Sequence, residues 1–136
     1  MSAMGAMRAP GPAMRLSVAL CTYNGAAYLP AQLESIAAQE RLPDELVVSD
    51  DASTDSTLEV LDDFAASAPF AVRIARNPDN LGFVQNFARV MALCEGDLIA
   101  LCDQDDVWRP GKLAAGEAAL VADAAVGLVC SDAALV

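Results

Sequence analysis

Three carboxylates within four residues follow an apolar run in the last third of the chain. Residues 98–102 read Leu-Ile-Ala-Leu-Cys, and Asp103, Asp105 and Asp106 come directly after them. Because carboxylates this close repel one another, a fold keeps them at a strand end when a cation, a proton or a polar ligand settles there. Oxygen ligands suit Mg²⁺ or Mn²⁺, which also take oxygens from the phosphates of a substrate. The cluster therefore predicts a divalent-metal site and a phosphate-bearing ligand.

A second group of carboxylates, the pair Asp50 and Asp51, ends another apolar run and precedes a helix start. One member of the pair can cap nearby amides while the other faces water. Alternatively, the pair accepts hydrogen bonds from a ligand, such as the imide N–H of uracil or thymine. Tyr23 also has two interpretations: a packed aromatic with its hydroxyl in water, or a flat face on which a base stacks. The residues alone leave these alternatives open.

Other common kinds of site have no support in the sequence. It contains neither G-x-G-x-x-G nor G-x-x-x-x-G-K-S/T, so dinucleotide-binding and P-loop interpretations are not favoured. The absence of histidine excludes His-based triads and His metal ligands. The four cysteines lack C-x-x-C spacing and are predicted to be small buried hydrophobes in a reducing, cytoplasmic setting: Cys21, Cys94, Cys102 and Cys130.

Composition narrows the class of protein and its partners. A chain of 136 residues with 55% hydrophobic residues is expected to be one globular domain with a proper core. Its formal net charge of −11 argues against nucleic acid and anionic lipid surfaces as partners, since both attract basic patches. No apolar run approaches the ~20 residues of a membrane span, so no transmembrane segment is predicted.

The hydrophobic pattern predicts elements that can position these residues. Residues 1–14 are expected to be a disordered leader, because they are rich in Ala, Met, Gly and Pro without a hydrophobic period. The motif Ser56-Thr-Leu-Glu59 resembles a capping box at a helix start. Over 15–136 the pattern predicts strands at 16–22, 45–50, 72–75, 97–102 and 126–131, and helices at 27–39, from 56 onward, 83–94 and 112–122.

Strands that alternate with helices over short loops imply an α/β fold with a mainly parallel sheet, covered on both faces. In such sheets ligands bind beyond the carboxyl ends of the strands. We therefore expect the chemistry in the loops after the first, second and fourth strands, which carry Thr22 and Tyr23, Asp50 and Asp51, and the acidic cluster.

Five motifs together resemble a known family. In chain order they are Val-Ala-Leu-Cys-Thr-Tyr-Asn at 18–24, Val-Val-Ser-Asp-Asp-Ala-Ser-Thr-Asp-Ser-Thr at 47–57, Asn-Leu-Gly at 80–82, Glu-Gly-Asp at 95–97 and Cys-Asp-Gln-Asp-Asp-Val-Trp-Arg-Pro-Gly-Lys-Leu at 102–113. They look like the nucleotide-binding half of a family 2 glycosyltransferase with the GT-A (Rossmann-like) fold. The Asp-Gln-Asp-Asp-Val-Trp variant is similar to bacterial rhamnosyltransferase-like members that build surface polysaccharide.

The resemblance implies a role for each candidate residue. It places Thr22 and Tyr23 in the base pocket, with the second carboxylate of the pair, Asp51, hydrogen-bonded to the pyrimidine. In the D-x-D motif, Asp103 is expected to hold the ribose and Asp105 the metal ion on the donor diphosphate. A further metal ligand is expected at Asp106.

The resemblance also implies partners and a reaction. The donor would be a UDP- or dTDP-sugar, with Mg²⁺ or Mn²⁺ as cofactor, and the acceptor a saccharide or lipid-linked saccharide, with inversion at the transferred sugar. The expected location is the cytoplasm, with the inner face of the membrane as an alternative. We identify no catalytic base. Many members have Ala-Arg-Asn in the third helix, with an Arg near the diphosphate, where this chain reads Gly82-Phe-Val-Gln85-Asn86-Phe87.

Family members also need a second half, which supplies the acceptor site and the catalytic base. This chain is therefore expected to be a truncated GT-A half-domain that is inactive alone and exposes a sheet edge favouring self-association. One rival hypothesis is a non-enzymatic nucleotide-sugar-binding or interaction module. A second rival is a Mg²⁺-dependent phosphotransfer protein, since residues 103–107 fit a D-x-D-x-[TV] motif. This rival is less favoured, because that motif belongs after an early strand and here lies late in the chain.

Overall fold

The computed structural model describes residues 14–123, in which four strands and four helices alternate. Every element predicted within this range is confirmed, with bounds that differ by at most two residues. The predicted strand at 126–131 and leader residues 1–13 lie outside the described residues. The strands are β1 (Leu16–Thr22), β2 (Glu45–Asp50), β3 (Ala71–Arg76) and β4 (Leu98–Asp103), and the helices are α1 (Leu29–Ala37), α2 (Thr57–Ala65), α3 (Phe83–Leu93) and α4 (Lys112–Ala122).

The four strands form one parallel sheet in the order β3-β2-β1-β4, which confirms the predicted α/β class. The chain builds outward from β1 to β3 and then returns to place β4 on the other side of β1. Strand order therefore reverses between β1 and β4, and a ligand crevice is expected beyond the carboxyl ends of these two strands. The register brings Cys21 opposite Asp103 at this point.

Alternating side chains of β1 build two cores of unequal size. Leu16, Val18 and Leu20 belong to the larger core, which also includes residues of α1, α2 and α4. On the opposite face, Ala19 and Cys21 pack with residues of α3. All seven residues of β1 are buried, because helices cover both of its faces.

Coverage is incomplete at β4. Ala100 and Cys102 pack against the larger core, whereas Ile99 and Leu101, which point to the α3 side, are 37% and 51% exposed. Within residues 14–123, α3 packs against β1 and β2 and leaves this face of β4 exposed. The prediction that helices cover both faces of the sheet is therefore right for β1 and wrong for β4. Self-association through this apolar strand stays a prediction. No helix in the described range has the length and apolar character needed to span a bilayer.

The predicted capping box at the start of α2 is not formed. Ser56 is the N-cap residue but makes no side-chain cap hydrogen bond, and its φ and ψ of −83° and 17° differ from the extended conformation that such a cap needs. Asp55 replaces it, because its Oδ1 accepts a hydrogen bond from Thr57 N at 3.0 Å. The helix start was predicted correctly and its capping residue was not.

Candidate functional site

A cleft of about 300 Å³ opens at the carboxyl edge of the sheet, where the strand order reverses. Four of the six predicted site residues line it, and the remaining two, Asp105 and Asp106, do not. Asp106 instead lines a neighbouring groove between α3 and β4. The cleft lining consists of Cys21, Thr22, Tyr23, Asp51, Asn80, Gly82, Phe83, Asn86, Asp103 and Gln104.

The last residue of β1, Thr22, and the next residue, Tyr23, differ in what they offer a ligand. Tyr23 is 48% exposed, so its ring is accessible from the cleft. Thr22 is buried, and its hydroxyl donates a hydrogen bond to Asp50 Oδ1 at 2.6 Å. A ligand in the cleft therefore meets the tyrosine side chain, whereas the threonine hydroxyl already has a protein partner.

Asp51 is only 3% exposed, and main-chain and side-chain donors surround its carboxylate. Oδ1 accepts hydrogen bonds from Leu81 N at 2.8 Å and from Asn77 Nδ2 at 2.9 Å, and Oδ2 accepts one from Gly82 N at 2.9 Å. Burial opposes ionisation, but these hydrogen bonds outweigh it and lower the pKa of Asp51. A carboxylate can accept about four hydrogen bonds, so one position on Oδ2 is left for a ligand.

The Asn80-Leu81-Gly82 motif supplies two of these donors. Gly82 has a φ of 88° and a ψ of 163°, a conformation that side chains disfavour, and it caps the N-terminus of α3. This turn lets consecutive main-chain N–H groups, those of Leu81 and Gly82, point at the same carboxylate. The motif therefore holds Asp51 at the edge of the cleft.

The three carboxylates at the end of β4 and just beyond it have few protein partners. Asp103 Oδ1 accepts a hydrogen bond from Gln104 N at 2.9 Å, while Asp105 and Asp106 are exposed and form no side-chain hydrogen bond or ion pair within residues 14–123. Burial, reinforced by the nearby charges of Asp105 and Asp106, raises the pKa of Asp103. This is the electrostatic environment that a bound cation would relieve.

The acidic loop offers only oxygen ligands to the predicted Mg²⁺ or Mn²⁺ ion. Within residues 14–123, no three acidic, cysteine or histidine side chains converge well enough to enclose a metal ion. Mg²⁺ is commonly held by one or two carboxylates, with waters and substrate phosphates completing its shell. The cluster fits a cation of this kind, shared with a ligand, and does not form an all-protein cage.

The cysteines near the cleft are unsuited to nucleophilic chemistry. Burial, with contributions from Asp103 and Asp51, raises the pKa of Cys21 to about 12. Burial likewise raises the pKa of Cys102. Both thiols therefore stay protonated near neutral pH, and the prediction that they are buried apolar residues is confirmed. Cys94 is partly buried, and Cys130 lies outside the described residues.

A stripe of buried polar residues on α1 and just beyond it positions the acidic loop, and the sequence analysis missed it. The stripe consists of Gln32, Ser35 and Gln39. At its first position, Gln32 Nε2 donates to the carbonyl oxygen of Asp103 at 2.9 Å. At the second, Ser35 Oγ accepts from Trp108 N at 3.0 Å. The main chain of the acidic loop is thus fixed by neutral groups beneath it.

Gln39 completes this support. Its Nε2 donates to the carbonyl oxygen of Arg109 at 2.7 Å, and its Oε1 accepts from Leu113 N at 3.0 Å. The buried ring of Trp108 packs in the larger core, with Lys112 Nζ lying 5.5 Å from its centroid. The 32, 35, 39 spacing of polar residues beside the apolar face of a helix was a signal available in the sequence.

Asn24 also has a larger role than its predicted turn. It adopts a positive φ of 47°, and its Oδ1 accepts a hydrogen bond from Thr54 N at 2.8 Å. Its own N donates to Ser53 Oγ at 2.9 Å. Asn24 therefore joins the loop after β1, which carries Tyr23, to the loop after β2, which follows the carboxylate pair.

Comparisons with known proteins identify the family and the fold. Residues 17–131 match the sequence model of the family described as Glycosyl transferase family 2. The dTDP-rhamnosyl transferase RfbG of Shigella flexneri is 35% identical over 98 residues, which cover 69% of this chain and 34% of that protein. The chain spans between 27% and 36% of the length of the curated relatives it matches.

Two solved structures share the fold. A crystal structure of S. aureus TarS (1-349) in complex with UDP aligns with a TM-score of 0.72 and 27% identity, covering 80% of this chain and 32% of that one. The mannosyltransferase PcManGT from Pyrobaculum calidifontis, in complex with GDP-Man and Mn²⁺, aligns with a TM-score of 0.75 and 27% identity, covering 84% and 34%. The expected GT-A architecture is confirmed by these matches.

Proposed function

The chain belongs to glycosyl transferase family 2, and from this membership we propose that it forms the donor-binding part of a metal-dependent, inverting glycosyltransferase. The observation that carries the proposal is the cleft at the reversal of strand order, where Tyr23, Asp51 and Asp103 line one space beside two exposed carboxylates. A nucleoside diphosphate has an aromatic base, a ribose and two phosphates, and this arrangement has a group suited to each part.

The base occupies the side of the cleft formed by the loops after β1 and β2. The accessible ring of Tyr23 stacks on it, and Thr22 contributes to the wall. The remaining acceptor position on Asp51 Oδ2 takes the imide N–H of a pyrimidine. This assignment of the base is supported by the exposure of Tyr23 and by the fixed, ionised state of Asp51.

The sugar-phosphate part lies toward the acidic loop. Asp103 accepts hydrogen bonds from the ribose hydroxyls, and Asp105, with Asp106 as a further ligand, would hold Mg²⁺ or Mn²⁺ against the diphosphate. When bound, this cation offsets negative charge on the departing nucleoside diphosphate. The stripe on α1 and the burial of Trp108 keep the loop in place while the ligand exchanges.

The donor is a UDP- or dTDP-sugar in this proposal. One relative is named as a dTDP-rhamnosyl transferase, and one structural neighbour was crystallised with UDP. The other neighbour, with GDP-Man, makes a purine donor the rival. The acceptor is a saccharide or lipid-linked saccharide, and the protein acts in the cytoplasm or at the inner face of the membrane.

A calorimetric titration with UDP, dTDP and GDP, in Mn²⁺, in Mg²⁺ and in EDTA, tests the proposal. We expect UDP and dTDP to bind more tightly than GDP and to lose affinity in EDTA. Binding of no nucleotide would refute the donor site, and equal affinity with and without metal would refute the metal. Asp63→Asn, on the exposed side of α2, serves as a control that leaves every affinity unchanged.

A modified ligand tests the contact between Asp51 and the base without disturbing the protein. 3-Methyluridine 5′-diphosphate lacks the imide N–H that the carboxylate would accept. A hydrogen bond to a charged group is worth roughly 1.5–3 kcal/mol, so this ligand is expected to bind about ten- to a hundredfold more weakly than UDP. Equal affinities would assign Asp51 a purely structural role.

Catalysis is expected to need more than these 136 residues. General-base catalysis requires a group within hydrogen-bond reach of the acceptor hydroxyl, and each carboxylate assigned above belongs to the donor side. We expect this chain alone to transfer no sugar and at most to hydrolyse the donor slowly. Robust transfer would overturn this expectation and place the base within the chain. Donor binding without transfer by any longer form would favour a non-enzymatic binding module.

A further inference from the structure

Gln104, the residue between the first two carboxylates of the acidic cluster, makes a paired contact with the loop after β1. Its Oε1 accepts a hydrogen bond from Tyr23 N at 2.8 Å, and its Nε2 donates to the carbonyl oxygen of Tyr23 at 2.9 Å. A primary amide that bonds both main-chain groups of one residue acts as a neighbouring strand would. The side chain therefore extends the pairing of β1 and β4 beyond the ends of both strands.

The contact crosses the reversal of strand order, where the cleft lies. Gln104 is fixed at its own main chain, because its N donates to Asp103 Oδ1 at 2.9 Å. Tyr23 follows Thr22 directly at the end of β1. The amide thus connects the residue whose ring faces the base side of the cleft to the first carboxylate of the acidic cluster.

Gly25 provides a second, independent observation on the same contact. A Cβ added at this buried glycine would lie 2.1 Å from Gln104 Oε1 and 2.3 Å from its Cδ. The positive-φ glycine of the described residues is Gly82, so backbone conformation does not explain Gly25. The lack of a side chain at position 25 leaves the space that the Gln104 amide occupies.

We propose that Gln104 is a positioning residue that holds Tyr23 in place for the base of the nucleotide, with Gly25 leaving room for its amide. This inference rests on the proposed donor site. Gln104 acts through the main chain of Tyr23, so its effect falls on the nucleoside part of the ligand and spares the diphosphate part. The loop is exposed at Tyr23, and water can replace the amide there, so folding depends little on this contact.

A double-mutant cycle tests the proposal by titrating UDP with Mg²⁺, uridine, and pyrophosphate with Mg²⁺ into the whole chain. Gln104→Ala and Gly25→Ala are each expected to weaken the binding of UDP and of uridine about five- to tenfold. This loss corresponds to part of the free energy of one base–aromatic stack, and the binding of pyrophosphate should not change. The double variant should bind no more weakly than Gln104→Ala, because truncation empties the space that the new methyl group needs. Additive losses would overturn the shared mechanism.

Matched variants separate positioning from general damage. Gln104→Asn keeps the amide but is one methylene shorter, so it cannot bond both main-chain groups and should behave like Gln104→Ala. Glu59→Ala removes an exposed side chain on α2, away from the cleft, and should change no affinity. All single variants at position 104 should unfold at wild-type urea concentrations. An unfolding midpoint that falls in parallel with UDP affinity would indicate a structural role and overturn the proposal.

Hydrogen exchange in the ligand-free protein distinguishes failure of this inference from failure of the donor site. The Tyr23 amide should be protected in the wild type and exchange at least about tenfold faster in Gln104→Ala. If the wild type binds no nucleotide, the proposed function fails whatever the exchange result. If it binds UDP but Gln104→Ala binds equally well, or if the Tyr23 amide is unprotected in the wild type, the positioning role alone is overturned.

Discussion

Two groups of carboxylates that look alike in the sequence differ in how the fold treats them. The closed pair, Asp50 and Asp51, lies at the end of β2, and the open cluster, Asp103, Asp105 and Asp106, lies at the end of β4. Asp50 is fully buried and accepts from the hydroxyl of Thr22 and from the main-chain N of Ser53. In the open cluster, Gln104 N is a donor to Asp103, and the other two carboxylates are exposed.

This contrast shows that hydrogen-bond donors, and not the number of acidic residues, decide what a carboxylate cluster can bind. In the closed pair, protein N–H and hydroxyl groups replace water, so Asp51 stays ionised with a lowered pKa. In the open cluster, burial and neighbouring charges raise the pKa of Asp103. Asp51 can accept about one more hydrogen bond, whereas the open cluster has several oxygens available to a cation.

The largest expected effect tests the closed pair. Asp51→Ala removes the charged acceptor of Leu81 N, Gly82 N and Asn77 Nδ2, so it should lower the free energy of unfolding by about 3–5 kcal/mol. Urea denaturation measures it, with the exposed Asp63→Ala as control. A cost under about 1 kcal/mol would place Asp51 with the open cluster and break the comparison.

The pH dependence of stability tests the charge of the same carboxylate, with a substitution that keeps the shape of the side chain. A lowered pKa in the folded state means that the stabilisation by Asp51 is complete above the unfolded value of about 3.9 and is lost as the pH falls through the folded value. Asp51→Asn should therefore be about 2–3 kcal/mol less stable than wild type near neutral pH. The two urea midpoints should converge as the pH falls below about 4. A constant difference at all pH values would contradict this.

The next-largest loss of stability is expected at Gln39, which supports the main chain beneath the open cluster. Gln39→Leu leaves Leu113 N and the carbonyl oxygen of Arg109 without their side-chain partner, and should lower the free energy of unfolding by about 1–3 kcal/mol. Trp108 is the single tryptophan, so the fluorescence of the protein reports on this loop. The emission should shift to longer wavelength when the loop loosens and water reaches the buried ring. Gln85→Leu, at an exposed position on α3, is the control. Unchanged emission would show that Gln39 does not hold the loop.

The smallest effect on stability is expected in the open cluster itself. Asp105→Asn should change the free energy of unfolding by no more than about 0.5 kcal/mol, because the side chain is exposed. The same variant should remove the difference in UDP affinity between Mn²⁺ and EDTA while weak nucleoside binding persists. Destabilisation as large as that of Asp51→Ala, or retained metal dependence, would show that the two groups do not differ as proposed.

Much of the fold could be predicted from local patterns. Hydrophobic periodicity indicated every described element, and alternation of strands and helices indicated the parallel sheet and the edge where the site lies. The residues that the prediction missed are those whose partners are distant in sequence. The pattern on α1 indicated an apolar face and missed the stripe of Gln32, Ser35 and Gln39, because buried polar residues reveal their function only through distant partners.

The order of the elements and the carboxyl-edge location of both acidic groups follow from local sequence patterns, because periodicity and chain order depend on neighbouring residues. Which carboxylates already have partners, and which remain available, depends on the folded arrangement. Its decisive contacts join residues far apart in sequence, such as the carboxylate of Asp51 with Gly82 N and the amide of Gln104 with the main chain of Tyr23. Hydrogen bonds depend on distance and direction in space, and no local pattern specifies these before the chain folds.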